Sequence, residues 1–347
     1  MKHPYIEIAN RKIGYDFEPL VIAEIGINHG GSLNIAKKMV DAAFASGVEI
    51  IKHQTHIVDD EMSKAAKETI PGNSKKSIYE IMNECSLSEE EELELKLYVE
   101  KMRMIFISTP FGREAANRLN SWEVPAFKIG SGECNNYPLI EHICSFKKPI
   151  ILSTGMNTID SVSNAVSIFK KHKIQYALLH TTNLYPTPDH LVRLGSINQL
   201  NKNFPDCPVG LSDHTISNHA CFGAVALGAS ILERHFTDSM NRYGPDIVSS
   251  MDPKSTKELI EGAKIIFKQR GGEKKIIKEE QVTMEFAYST VCSISDIKKG
   301  ETFTKENIWV KRPGKGGLLA EFYDDILGEV AKKNIKNDSQ IKAEDYK

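Results

Sequence analysis

Two histidines stand in matching settings late in the sequence, His214 in LSDHT and His235 in LERHF. Each closes a short apolar run. If the runs are neighbouring strands, about 4.8 Å apart, the two imidazoles can share one divalent ion and leave positions open for substrate oxygens and water. A lone histidine is more often structural; a pair on adjacent tips favours a metal. Two lysines, Lys52 in KHQTH and Lys128 in FKIGSGE, close other runs. An ammonium in an enclosed mouth is costly unless an anion faces it. That anion is either a protein carboxylate, Glu24 or Glu133, or a bound carboxylate or phosphate. The small-residue tips Ser131-Gly132, Ser153-Thr154-Gly155 and Ser212 favour the bound anion, because exposed backbone N–H groups cradle oxyanions. Glu24 and Glu133 are candidates for proton transfer or for holding sugar hydroxyls, with a lysine-paired structural role as the equal alternative for each. Asn183 and Tyr185, in TNLYPTP, offer neutral hydrogen bonds, although Pro186 and Pro188 also suit a merely stiff loop.

What positions these groups is a recurring element. Eight apolar runs occur between residues 20 and 237: LVIAEIGIN from Leu20, EIIKHQTH from Glu49, MIFISTP from Met104, AFKIGSGE from Ala126, PIILSTGM from Pro149, YALLHTTN from Tyr176, PVGLSDH from Pro208 and SILERHF from Ser230. Continuous apolar runs read as strands buried on both faces. The segments between them have helical spacing. Ala36, Met39, Val40, Ala43 and Phe44 form one stripe, and Val162, Ala165, Val166 and Phe169 another. Eightfold strand–helix alternation predicts a (β/α)8 TIM barrel, whose active site lies at the C-terminal ends of the strands. A doubly wound open sheet is the runner-up, and no G-x-G-x-x-G after the first run supports it.

The 347 residues exceed one barrel, and the remainder falls at the C-terminus. Residues 1–270 read as the barrel domain, the charged stretch 271–285 as a linker, and 286–347 as a small turn-rich domain with a marginal core of its own. A formal net charge of −2 lacks the basic field of a nucleic-acid binder. No run is long enough for a membrane span and no signal core opens the chain, so the expectation is a cytoplasmic protein. The six cysteines include no C-x-x-C pair and no zinc-knuckle spacing.

At these motifs the chain resembles the sialic acid synthases, the N-acetylneuraminate synthase family. The pieces are EIGINHGG at Glu24, KHQTH at Lys52, IPGN ending at Asn73, FISTPF ending at Phe111, FKIGSGECNNYPL from Phe127, ILSTGMN ending at Asn157, TNLYPTP from Thr182, GLSDHT from Gly210, ILERHFT from Ile231, GPDI from Gly244 and WVKRPG ending at Gly314. They run in order along essentially the whole chain. The resemblance implies a TIM barrel followed by a small SAF domain of the antifreeze-like, β-clip type, in a domain-swapped homodimer. It implies Mn2+, with Mg2+ or Co2+ as alternatives, on His214 and His235. It implies phosphoenolpyruvate held by Lys52, Gln54, Thr109, Lys128, Ser131, Ser153, Asn183 and Ser212. An N-acylated amino sugar would meet Glu24, Asn73, Glu133, Tyr185 and Asp246, with Phe286 as a lid and Arg312 reaching the N-acyl group from the partner chain. The implied reaction joins phosphoenolpyruvate, N-acetylmannosamine and water into N-acetylneuraminate and phosphate, with Glu133 as the candidate for proton transfer. A diacetamido-trideoxy hexose, giving legionaminic or pseudaminic acid, is the rival acceptor. The rival of another class is a sugar-binding or ice-binding protein. Against ice binding, residues 286–347 carry Lys298, Lys299, Glu301, Lys305, Glu306, Lys311 and Arg312, whereas an ice-binding face should be flat and regular.

Overall fold

The computed structural model describes residues 3–71 and 75–346. The chain divides into two compact units, Met1–Gly271 and Gly272–Lys347. The first opens with a hairpin, β1 (Tyr5–Ile8) and β2 (Arg11–Gly14), that the sequence reading did not anticipate. A closed parallel barrel follows, made of β3 (Leu20–Glu24), β4 (Ile50–Thr55), β5 (Ile105–Pro110), β6 (Phe127–Ile129), β7 (Ile150–Ser153), β8 (Tyr176–Thr181), β9 (Val209–Asp213) and β10 (Ile231–His235). Each expected run holds one barrel strand.

Between and after the strands lie α1 (Leu33–Ala45), α2 (Val58–Glu61), α3 (Ile78–Cys85), α4 (Glu89–Lys101), α5 (Arg113–Ser121), α6 (Tyr137–Ser145), α7 (Ile159–His172), α8 (Gly195–Asn203), α9 (His219–Ala226) and α10 (Pro253–Gln269). Their starts are chemically marked. Ser88 and Glu91 form a capping box before α4, and Thr158 caps α7 by accepting from the Ser161 N–H. The apolar stripes read from the sequence face the barrel: Ala36, Met39, Val40 and Ala43 are buried on α1, while Phe44 is half exposed.

Period-two alternation along the strands makes two cores. Val21, Ala23, Ile51, Phe106, Phe127, Ile129 and Leu152 face the helices. Leu20, Ile22, Ile50, Ile107, Ala126, Ile151, Leu179 and Ile231 fill the barrel, and Ile6, Ile8 and Ile13 of the hairpin pack against them. The hairpin is therefore an apolar plug for the barrel interior. Two residues beyond an inner apolar residue, the same face turns polar: Ile22 leads to Glu24, Ile50 to Lys52 and Gln54, Ile107 to Thr109, Ala126 to Lys128, and Ile151 to Ser153.

The second unit has its own core of Val291, Ile297, Phe303, Ile308, Ile326, Ala331, Ile335 and Ile341. It contains α11 (Gln281–Ala287), an antiparallel pair β11 (Thr290–Ser293) and β12 (Ile308–Lys311), and α12 (Tyr323–Ile326). The stretch 271–285, read as linker, carries a 3-10 turn and most of α11, which is capped by Tyr288 in extended conformation.

Candidate active site

Strand register sets the heights of the polar groups. Glu24 on β3 pairs in register with His235 on β10 and with Lys52 on β4, so three neighbouring strands bring one acid, one base and one imidazole to one level. Ser212 on β9 stands opposite Glu233 on β10, and Gln54 on β4 opposite Thr109 on β5. Together they line a cavity of about 580 Å³ that also receives Lys128, Ser131, Ser153, Asn183, Tyr185, His214 and Asp246. Of the residues singled out from sequence within this unit, Asn73 lies outside the described residues and Glu133 is not among those lining the cavity.

The floor is a buried charge cluster. Lys52 pairs with Glu24 and lies 3.3 Å from Thr109 Oγ1. Lys128 Nζ donates to Ser153 Oγ at 2.7 Å. Between the ammoniums sits Glu233, 4.0 Å from Lys52 and 3.6 Å from Lys128, accepting from Ser212 Oγ at 3.2 Å. Burial pushes the Lys52 ammonium down to about 7 against the pull of Glu233, and pushes Lys128 down likewise. Burial also works against the Glu233 carboxylate, but Lys128 and Lys52 outweigh it and hold the group below its ordinary range. Two buried ammoniums thus face two carboxylates, Glu24 and Glu233, in a cluster that is formally neutral, with both ammoniums still lining the cavity.

Glu233 was missed in the sequence reading. The signal was available: it lies two residues before His235 on one strand and therefore shares its inward face. The intervening Arg234 faces outward, where it pairs with Asp213 of β9 at 3.4 Å. In LSDHT and LERHF, then, alternate residues serve the site and the strand–strand join.

His214 and His235 place their ring centroids 5.3 Å apart. His214 Nδ1 lies 2.9 Å from the carbonyl of Thr182, so that nitrogen carries the proton and Nε2 keeps its lone pair. Burial, reinforced by His235, lowers His214 to about 4, and burial, reinforced by Lys52, lowers His235 to about 3. Both rings are neutral near pH 7, the form that binds metal. His235 Nδ1 is buried without a hydrogen-bond partner, and Asp246 stands 3.6 Å from it. Among the described residues no group of three or more His, Cys, Asp or Glu is arranged to hold a metal ion. A divalent ion on this pair would need its remaining ligands from substrate and water.

Around this centre Tyr185 packs its ring 4.2 Å from that of His214, and Asn183 Nδ2 donates to its hydroxyl at 3.4 Å. Asn183 Oδ1 is buried without a partner, an acceptor open to a ligand donor. Gly26, with φ +24°, lets the chain turn beneath Glu24; a Cβ there would strike Glu24 Oε1 and Gln54 Nε2. Ile27, Pro71, Ile78, Ile81 and Met82 form an apolar wall, largely from α3. Glu133 follows the cavity residues Ser131 and Gly132 on a 3-10 turn and accepts from Asn136 Nδ2 at 2.5 Å. Burial raises its carboxyl above the ordinary value.

In the second unit Arg312 follows β12 and is exposed, and Phe286 on α11 is 60% exposed. No helix among the described residues is long and apolar enough to cross a membrane.

The chain matches the NeuB family over residues 39–275 and the SAF domain over 294–347. It is 38% identical to an uncharacterised protein of Methanocaldococcus jannaschii, over 96% of this chain and 95% of that one. It is 37% identical to the N,N'-diacetyllegionaminic acid synthase of Campylobacter jejuni, over 93% of this chain and 98% of that enzyme. A solved N-acetylneuraminic acid synthetase of Leptospira borgpetersenii superposes with a TM-score of 0.74 at 31% identity, over 82% of this chain and 96% of that one. With a barrel, a cavity of this composition and a family match across most of its length, the chain belongs to the NeuB family of sialic-type acid synthases, joined to a C-terminal SAF domain.

Proposed function

We propose that the protein condenses phosphoenolpyruvate with the open-chain aldehyde of N-acetylmannosamine and water, giving N-acetylneuraminate and phosphate. The observation that carries this reading is the pairing, in one cavity, of two buried lysines with two neutral histidines. The floor suits a trianionic substrate. Lys52 and Lys128 take its charged groups, helped by Thr109, Ser131, Ser153 and Ser212. A divalent ion on His214 and His235, Mn2+ first with Mg2+ or Co2+ as alternatives, supplies Lewis-acid polarisation of the sugar carbonyl.

C3 of phosphoenolpyruvate attacks the aldehyde carbon. A C–C bond forms, and the former carbonyl oxygen takes the electron pair and a proton. Water adds at the cationic C2 and loses a proton. The tetrahedral C2 then expels phosphate by C–O cleavage and becomes a ketone. Glu24, beside Lys52 in the cavity, orients sugar hydroxyls. Glu133, at the cavity edge with a raised carboxyl, is the proton-transfer group. The barrel supplies geometry, holding nucleophile and electrophile within reach. A cytoplasmic location belongs to this proposal, and the six free cysteines support it.

We further propose that the SAF domain works on a partner's barrel in a domain-swapped homodimer, with Arg312 meeting the N-acyl group and Phe286 forming a lid. The exposure of both residues in the second unit supports this arrangement.

A second acceptor is favoured by one feature. The Ile27, Ile78, Ile81 and Met82 wall suits methyl groups, and a diacetamido-trideoxy hexose carries more of them than N-acetylmannosamine. Phosphate release from phosphoenolpyruvate with a panel of amino sugars, with product mass, decides. The highest kcat/KM with N-acetylmannosamine is expected. A preference for the trideoxy sugar moves the protein to legionaminic or pseudaminic acid synthesis, and no release with any sugar overturns the enzyme reading.

A further inference from the structure

His56, just past the end of β4, has no place in the reaction so far, although its side chain is only 3% exposed. Its Nδ1 lies 2.9 Å and 3.1 Å from the two carboxylate oxygens of Glu61 on α2. Its Nε2 lies 3.1 Å from Gln54 Oε1. Its ring stacks on Phe111, a cavity-lining residue, with centroids 4.4 Å apart and planes 13° apart. Gln54 in turn donates through Nε2 to Glu24 Oε1 at 3.1 Å, and the other oxygen of Glu24 meets Lys52.

The protons of this row follow from its ends. Glu24, against the Lys52 ammonium, is a carboxylate and accepts. Gln54 must therefore turn its NH2 to Glu24 and its carbonyl to His56. A carbonyl only accepts, so His56 Nε2 carries a proton. On the other side stands a carboxylate, so a further proton lies between His56 Nδ1 and Glu61. Both carboxylate oxygens of Glu61 face that nitrogen, and the charge-assisted pair keeps the proton on the ring. Both ring nitrogens then donate. If Nε2 lost its proton, the amide of Gln54 would reverse and set its oxygen against the Glu24 carboxylate. Two acceptors at that distance repel unless Glu24 is protonated, which would dissolve its pair with Lys52.

We infer that His56 is a positioning residue: as an imidazolium held by Glu61, it locks the Gln54 amide in the one orientation that donates to Glu24 and keeps Glu24 ionised beside Lys52 in the substrate cavity. Only the kinetic arm of the test rests on the condensation reading.

The first arm is 15N NMR of histidine-labelled protein at about pH 6.5, where Lys52 is mostly the ammonium, with the His56 signals assigned by their loss in His56→Gln. Two protonated-type ring nitrogens are expected, and one should become unprotonated in the near-isosteric Glu61→Gln. An unprotonated His56 nitrogen in the native protein overturns the inference, whether or not the enzyme turns over any sugar. The second arm is a mutant cycle on phosphate release. His56→Phe keeps the stack on Phe111 and should lower kcat/KM by about 10–100-fold, as misplacement of a reacting group does. Combined with Gln54→Ala, it should add nothing to the loss caused by Gln54→Ala alone. Losses that multiply show that His56 does not act through Gln54 and overturn the inference. Should His56→Phe not fold, Glu61→Gln takes its place in the same cycle. Absence of phosphate release in the native enzyme with every sugar sinks the proposed function and leaves the NMR arm to decide.

Discussion

The carboxylate of Glu233 lies 3.6 Å from the ammonium of Lys128 on the barrel floor, both almost wholly removed from water. In this pair the acid is fixed by Ser212 and the base by Ser153. A buried ammonium so held is a preorganised anion site, because its desolvation has already been met by the fold. Lys128→Met should raise KM for phosphoenolpyruvate by about 10²-fold or more, on the scale of a lost charged partner. The melting temperature should move by only a few degrees, since Glu233 keeps Lys52 and Ser212. Unchanged phosphoenolpyruvate kinetics in a folded variant would refute the assignment.

Lys52 gives the pH dependence. Burial holds its folded-state value down to about 7. Phosphoenolpyruvate binds the ammonium form, so raising the pH past 7 removes the binding form, and kcat/KM for phosphoenolpyruvate should fall toward tenfold per pH unit. Below pH 6 this group has no further effect. A profile measured from pH 6 to 9 that stays flat means Lys52 remains charged or does not meet the substrate.

The histidine pair predicts metal dependence. Chelation should abolish turnover and Mn2+ should restore it, and His214→Ala should bind less metal by elemental analysis. Full activity in excess chelator with a verified metal-free protein would count against the site.

Glu133→Gln should preserve substrate binding and lower kcat by about 10²–10⁴-fold, the usual worth of a general acid or base. The substitution keeps the shape and the Asn136 contact while removing the titrating group. A near-native rate would assign proton transfer to a carboxylate inside the cavity, Glu24 first.

The domain swap is open to complementation. Inactive Arg312→Ala chains mixed with inactive Glu133→Gln chains should recover activity once subunits exchange, because in a swapped dimer one hybrid site carries both lesions and the other neither. Verified heterodimers without recovery would show that each SAF domain serves its own barrel.

Ile8 tests the plug. It is fully buried against the barrel's inner core, so Ile8→Ala should cost about 2–5 kcal/mol in denaturant unfolding. The chemistry lies at the opposite, C-terminal ends of the strands, so KM should not change. A destabilised variant whose KM shifts would mean that the plug also shapes the site.

Much of this was legible in the residues. Local order is set by period and by caps, both properties of adjacent residues, so eight strands and the helices between them could be read directly. Lys52, Lys128, His214 and His235 stood out because charged groups at the ends of apolar runs have few reasons to be there except a shared pocket. The hairpin Tyr5–Gly14 was not legible, since two four-residue strands carry too little pattern without the barrel they close. Nor was the choice of counter-ion. Glu24, Glu133 and Glu233 are the same side chain on three different segments: Glu24 meets Lys52 across the adjacent strands β3 and β4, Glu133 turns to Asn136 three residues on, and only barrel closure, which brings β10 back beside β3, sets Glu233 between the lysines. The donor direction through His56 and Gln54 likewise depends on Gln54 meeting Glu24, 30 residues away along the chain, at hydrogen-bond distance. Composition and period decide which residues face inward; the closed register decides which of them touch.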